Sequence, residues 1–275
     1  MSLSNLRAAF DATPHHLAAF FVLGDPDLET SLALAKAAID AGCTQLELGL
    51  PFSDPCGDGP AIQRAQSRAL AAGVSTAAAT ELLAHIHAHS PATPLNLLVY
   101  GNLVHARGAD AFCSSLAAAG ASSLLTPDIP LPEAESIRAA CAEHDLGFVP
   151  LVGPATTENR LEASNAAATG FLYLAGHQGV TGARAPESHS SDLVTHTAAQ
   201  TDAPICLGFG LKDADSIRRA FQAGAKMAVV GSHLAIAIER GLEAESDPSN
   251  SADRTAQVVD SITNAISLLT QALQP

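Results

Sequence analysis

Basic residues are scarce in this sequence. Lys and Arg together number 14 against 28 Asp and Glu, giving a formal charge of −14 and a pI near 5.0. Nucleic acid and anionic membrane surfaces are bound through clustered Lys and Arg, so such a chain is repelled by both. Any phosphate it takes must be held locally, by backbone N–H groups. Aromatic residues make up only 4%, with no Trp and two Tyr. No apolar run approaches the ~18–20 residues of a membrane span. The opening MSLSNLRAAFDATPHH has neither the basic stretch nor the apolar core of a signal peptide. The five cysteines (Cys43, Cys56, Cys113, Cys141 and Cys206) are odd in number and form no C-x-x-C pair. That excludes a disulfide framework and a zinc site of the usual spacing, and a cytoplasmic, reducing location is expected. Disorder is excluded by the 47% of hydrophobic residues.

What is present is an alternation. A short helix is expected after Ser4, with Leu6 and Phe10 on its inner side. Apolar runs of strand length follow at Leu17–Leu23, Gln45–Leu50, Pro94–Val99, Ser122–Thr126, Gly147–Leu151, Gly170–Leu174, Ala203–Leu207 and Met227–Val230. Alanine-rich stretches of helical spacing lie between them, such as Asp27–Ala41 with Leu28, Leu32, Ala35 and Ile39. Pro60 and Pro132 sit like first-turn prolines, and Gly42, Gly120 and Gly224 like helix stops. Glu243–Ser251 reads as a surface loop before a last helix from about Ala252 to Leu273. Strand alternating with helix implies a parallel sheet covered by helices. About eight such units in ~250 residues is the content of a (β/α)₈ barrel. An open doubly wound sheet is the competitor, but no G-x-G-x-x-G follows the first strand. The expectation is an α/β fold, one (β/α)₈ TIM-barrel domain over residues 1–275 with an extra N-terminal helix.

Gln45-Leu46-Glu47-Leu48-Gly49-Leu50 is the most informative segment. Its alternation places the three leucines on one face and Gln45, Glu47 and Gly49 on the other. The outer face of a barrel strand packs on helices, so the leucines point out and Glu47 points in. A buried carboxylate is costly unless its pKa rises or it finds a partner. Gly49 then leaves space at the C-terminal mouth, where barrel enzymes carry their chemistry. A raised pKa suits a group that donates and accepts protons near neutrality. The competing reading is a glutamate paired with a buried cation or serine. In the loop that follows, Asp54 reads as a turn residue, and Asp58 or Gly59 as the cap of the helix starting at Pro60.

Two late segments combine. Leu207-Gly208-Phe209-Gly210-Leu211 ends the seventh strand and Val229-Val230-Gly231-Ser232-His233 the eighth. These are the loops that build the recurrent phosphate site of this barrel, with a short helix expected over His233–Arg240. Gly208, Gly210 and Gly231 allow close backbone approach and Ser232 adds a hydroxyl. The loop Gly179-Val180-Thr181-Gly182 is a further contributor and a candidate lid. Phe20, Leu98, Leu125, Tyr173 and Phe209 fall near strand ends and together could line a pocket for a flat ring. His85, His87 and His89 read as solvated groups near a helix end rather than metal ligands.

LELGLPFSDPCGDGP (46–60) resembles the signature of the tryptophan synthase alpha subunit family. LGDPD (23–27), VYGNLV (99–104), PDIP (127–130), GVTG (179–182), GFG (208–210) and GS (231–232) follow in that family's order. The resemblance implies a barrel lyase of tryptophan biosynthesis. It would cleave indole-3-glycerol phosphate to indole and glyceraldehyde 3-phosphate, with Glu47 the general acid/base and Asp58 the second catalytic carboxylate. It also implies that Tyr100 joins the residues sandwiching the indole, with Ile62 near the entrance and Thr181 in the lid. No cofactor or metal is implied in this chain. The implied partner is a pyridoxal phosphate-bearing beta subunit in an α₂β₂ assembly, met by the loops around Pro51, Asp54 and Asp128. His177, Cys56-Gly57 and Ala19-Phe20 depart from the family's commoner residues. The alternatives are a stand-alone lyase without a beta partner and a catalytically silent regulatory barrel. A sugar-phosphate isomerase or epimerase of the same architecture fits poorly with three lysines, Lys36, Lys212 and Lys226.

Overall fold

A computed structural model describes residues 2–175, 187–208, 210–243 and 251–274. The strands are β1 (His16–Val22), β2 (Gln45–Gly49), β3 (Leu95–Leu98), β4 (Ser123–Leu125), β5 (Gly147–Phe148), β6 (Leu151–Val152), β7 (Leu172–Leu174), β8 (Ile205–Leu207) and β9 (Met227–Val230). Every pairing is parallel, in the order β5-β4-β3-β2-β1-β9-β8-β7-β6. The two ends of that order are one stretch of chain. Val149 N–H donates to Leu124 O (3.0 Å), and Tyr173 N–H donates to Pro150 O (3.0 Å). The sheet therefore closes on itself, as the alternation predicts. The expected single strand Gly147–Leu151 is two short ones, because Pro150 has no N–H to give to the ladder.

Side chains alternate between two apolar layers. Leu17, Ala19, Phe21, Leu46, Leu48, Leu50, Leu95, Leu97, Leu172, Leu174, Ile205 and Leu207 join the helices in the outer core. Ala18, Phe20, Val22, Leu125, Val149, Phe171, Tyr173, Cys206, Met227 and Val229 fill the interior. The floor is plugged by the helix Ser2–Ala12. Leu6, fully buried, reaches up to Gly147 and Gly170, where an added Cβ would lie 3.3 and 3.2 Å from its Cδ2. Above it the interior is polar on one side: Ser123 Oγ donates to Asn96 Oδ1 (2.7 Å) and Asn96 Nδ2 to Gln45 Oε1 (2.8 Å). With the floor sealed, ligand access is left to the C-terminal mouth.

Local chemistry sets the helices. Asp27 caps Leu28–Asp40 by accepting from Thr30 N–H (2.8 Å), and Ser75 caps Thr76–His89 in the same way. Gly42, Gly120 and Gly224 follow their helices at φ of +104°, +93° and +114°, a region other residues avoid. Pro132 lies in a 3₁₀ turn, Leu131–Glu133, just ahead of the helix Glu135–Glu143 rather than in its first turn. The last helix runs Ser251–Leu269 and tightens into a 3₁₀ turn. Among the described residues no single helix is long and apolar enough to cross a membrane. All five cysteines are free thiols, with only Cys56 exposed.

Candidate active site

Glu47 points into the barrel, as the leucine alternation requires. It is 3% exposed, and the Tyr173 hydroxyl hydrogen-bonds it, while its Oε2 meets no partner among the described residues. Burial pushes its carboxyl from 4.5 up to about 8, with Asp58 adding to the rise and Tyr173 opposing it. Among the described residues the groups that act on it include no cation. Gly49 does not leave open space above it. A Cβ there would stand 3.1 Å from the Phe20 ring, which already fills that position.

Asp58 does not cap the helix Pro60–Ala71. Gly59 is the cap residue, and no side-chain bond is made there. The Asp58 carboxylate turns inward instead, buried, and accepts from Gln66 Nε2 (3.1 Å) and from the Tyr100 hydroxyl. Burial raises it from 3.8 to about 6, less than Glu47, since Asp58 is less deeply enclosed and these two donors favour the charged form. Tyr100 also accepts from Gly57 N–H (3.1 Å) and stacks on Phe52 at 5.2 Å. The two tyrosines of the chain thus face the two carboxylates, one each. At pH 7 these values leave Glu47 mostly neutral beside a mostly ionised Asp58.

Phe20, Ile62, Leu125 and Tyr173 come together in the interior cluster, with half-buried Leu98 against it. Gly231 and Ser232 stand at the end of β9, where the helix Ser232–Glu243 begins, longer than the expected His233–Arg240. Its first N–H groups face the mouth, the arrangement that attracts an anion. Gly210 is exposed at φ +77°. Gly208 contributes room rather than a donor: its N–H is bonded to Leu174 O (3.3 Å), and a Cβ would fall 1.8 Å from Tyr173 Oη. Phe209, Thr181, Gly182 and His177 lie outside the described residues. Of the candidate partner residues, Asp54 and Asp128 are exposed while Pro51 is buried in the chain itself. Asp128 Oδ1 accepts from Gly101 N–H (2.8 Å), and a cavity of about 340 Å³ opens beside it, lined by Ile129, Pro130, Leu131, Phe148 and Leu151 among others. His89 pairs with Asp40 (3.0 Å), and no group of three metal-binding side chains occurs among the described residues.

Two features escaped the sequence reading. Gln66 is a polar residue on the buried stripe Ile62-Ala65-Ala69, which was a visible signal. The other is an ion network with no local signature. Arg68 grips buried Asp25 through two bonds of 2.7 and 2.8 Å and also Glu239 (2.7 Å), which Arg64 grips in turn. It ties the helix behind Asp58 to the helix that begins at Ser232.

Residues 7–267 match the family model described as "Tryptophan synthase alpha chain". The chain belongs to the tryptophan synthase alpha chain family. The tryptophan synthase alpha chain of Vibrio cholerae serotype O1 is 40% identical over 225 residues, 82% of this chain and 84% of that one. Tryptophan synthase of Mycobacterium tuberculosis superposes with a TM-score of 0.85 at 30% identity, covering 99% of this chain and 97% of that one. The alpha subunit from Legionella pneumophila superposes at 0.86 with 26% identity, covering 98% and 97%. These tryptophan synthase structures are (β/α)₈ barrels, which bears out the closure deduced from β5 and β6.

Proposed function

We propose that Glu47 and Asp58 divide between them the retro-aldol cleavage of indole-3-glycerol phosphate to indole and glyceraldehyde 3-phosphate. Indole leaves only once its C3 carries a proton. Neutral Glu47 delivers that proton, which places positive charge on the ring nitrogen. Ionised Asp58 accepts the ring N–H and stabilises the charge as it develops. The bond between C3 and the glycerol chain then breaks, its electrons returning to the ring. The adjacent hydroxyl surrenders its proton to the Glu47 carboxylate and becomes the aldehyde. Glu47 ends the cycle neutral, as it began.

The ring would lie among Phe20, Ile62, Leu98, Leu125, Tyr100, Tyr173 and Phe209. The phosphate would rest on the N–H groups at Gly231 and Ser232 with those of Gly182 and Gly210, aligning the scissile bond. The observation that carries this reading is the pair of buried carboxylates at one mouth, one held near 8 and the other near 6. Two acids whose surroundings separate their pKa values supply an acid and a base together. Each step uses this chain's own side chains; pyridoxal phosphate belongs to the beta subunit. A beta partner in an α₂β₂ assembly, met through Asp54 and Asp128, and a cytoplasmic location complete the reading.

The test is indole release from indole-3-glycerol phosphate. Glu47→Gln and Asp58→Asn are each expected to lower turnover by about 10²-fold or more while substrate still binds. Turnover near the wild-type rate in Glu47→Gln would overturn the assignment.

A further inference from the structure

Gln66 projects from the second turn of the helix Pro60–Ala71 back over the loop that precedes it, and it is 1% exposed. Its amide is engaged at both ends. Oε1 accepts from Phe52 N–H (3.0 Å), at the start of the loop, and Nε2 donates to Asp58 Oδ2 (3.1 Å), at its finish. The amide can sit only one way round, since the reverse would set NH₂ against N–H and oxygen against carboxylate. Further contacts close the ring: Phe52 stacks on Tyr100, whose hydroxyl bonds Gly57 and Asp58. The exposed tip at Ser53, Asp54 and Cys56 lies outside it.

We propose that Gln66 is a positioning residue for the second carboxylate: its side-chain amide clamps the two ends of the loop together and fixes the direction in which Asp58 presents its oxygens to the bound ring. This rests on the role proposed above for Asp58. Without the clamp, Asp58 would be aimed by a glycine-flanked loop with the Tyr100 hydroxyl as its remaining tether among the described residues. With it, the aim is set by a helix side chain whose neighbours Ala65 and Ala69 are packed in the barrel interior. Gln66 also supplies one of the two donors that keep Asp58 ionised near neutrality, so its loss acts on charge as well as direction.

The experiment is a pH profile of indole release for wild type, Gln66→Met, Asp58→Asn and the double variant. Gln66→Met keeps length and volume but cannot bond either end. It is expected to lower kcat by about tenfold, with KM changed by less than about threefold. Its acid limb, which falls as Asp58 takes up a proton, should move to higher pH because a donor to the carboxylate has been removed. In the Asp58→Asn background the same change should add no further loss. An unmoved acid limb at full kcat overturns the proposal, and so does an undiminished tenfold loss in the Asp58→Asn background. Should Asp58→Asn alone retain wild-type turnover, the reading of Asp58 itself fails, and that is seen without any Gln66 variant. If Gln66→Met does not fold, Gln66→Asn replaces it. Its amide, one methylene shorter, cannot span both ends, and an acid limb identical to wild type would again overturn the clamp.

Discussion

A buried acid held neutral leaves a signature in folding as well as in catalysis. Glu47 is displaced from 4.5 to about 8, so over that interval the native state keeps a proton that the unfolded chain has released. Stability then falls as pH rises, by about 1.4 kcal/mol for each unit between the two values. Between about pH 5.5 and about pH 8.5 the single group removes about 3 kcal/mol. Glu47→Gln abolishes this dependence while keeping size and polarity. Urea unfolding followed by circular dichroism, on both proteins at both pH values, isolates the difference, because every other titrating group is common to them. Wild type should lose about 3 kcal/mol more than Glu47→Gln on going from the lower pH to the higher. Parallel losses, within about 1 kcal/mol, would mean that Glu47 is ionised in the native state and cannot open the reaction as an acid.

Gly208→Ala should drive the Tyr173 hydroxyl off Glu47, since the new Cβ would fall 1.8 Å from Tyr173 Oη; indole release is the assay, and an undiminished rate would refute the need for this tyrosine. Ser232→Asp places a negative charge where the substrate phosphate is proposed to rest, and KM should rise by about tenfold or more, equivalent to about 1.4 kcal/mol of binding. An unchanged KM would move the phosphate elsewhere. Arg68→Met leaves Asp25, which is 2% exposed, without its cation and should cost about 3 kcal/mol in urea unfolding. A midpoint equal to wild type would show the network to be incidental.

What could be read from residues alone follows the reach of local rules. The inward turn of Glu47 was legible because a strand has a period of two and three leucines declare the outer face. The glycine stops were legible because left-handed backbone excludes other residues. Asp58 was ambiguous for a physical reason. A carboxylate just before a first-turn proline suits a cap as well as a site, and only the path of the loop decides which. Its tether to Tyr100, 42 positions on, has no sequence period, and neither does the grip of Arg68 on Asp25, 43 positions back. The split at Pro150 needed only the rule that proline cannot donate, applied to a strand paired on both sides.

The roles proposed for the two carboxylates follow from how deeply each is buried and from the donors it meets. Both are buried, and burial alone would hold both neutral. Asp58 receives two hydrogen bonds, from Gln66 and Tyr100, and stays low enough to be charged at pH 7. Glu47 receives one, from Tyr173, keeps an oxygen without a partner among the described residues, and lies near the charge of Asp58. Each of those differences pushes Glu47 toward its neutral form, the form required by the role of acid proposed for it. A second donor to Glu47 would make it a better-satisfied buried group and a worse acid. Burial beside the charge of Asp58 keeps the Glu47 carboxyl protonated, and that is the proton which the proposed mechanism hands to the ring.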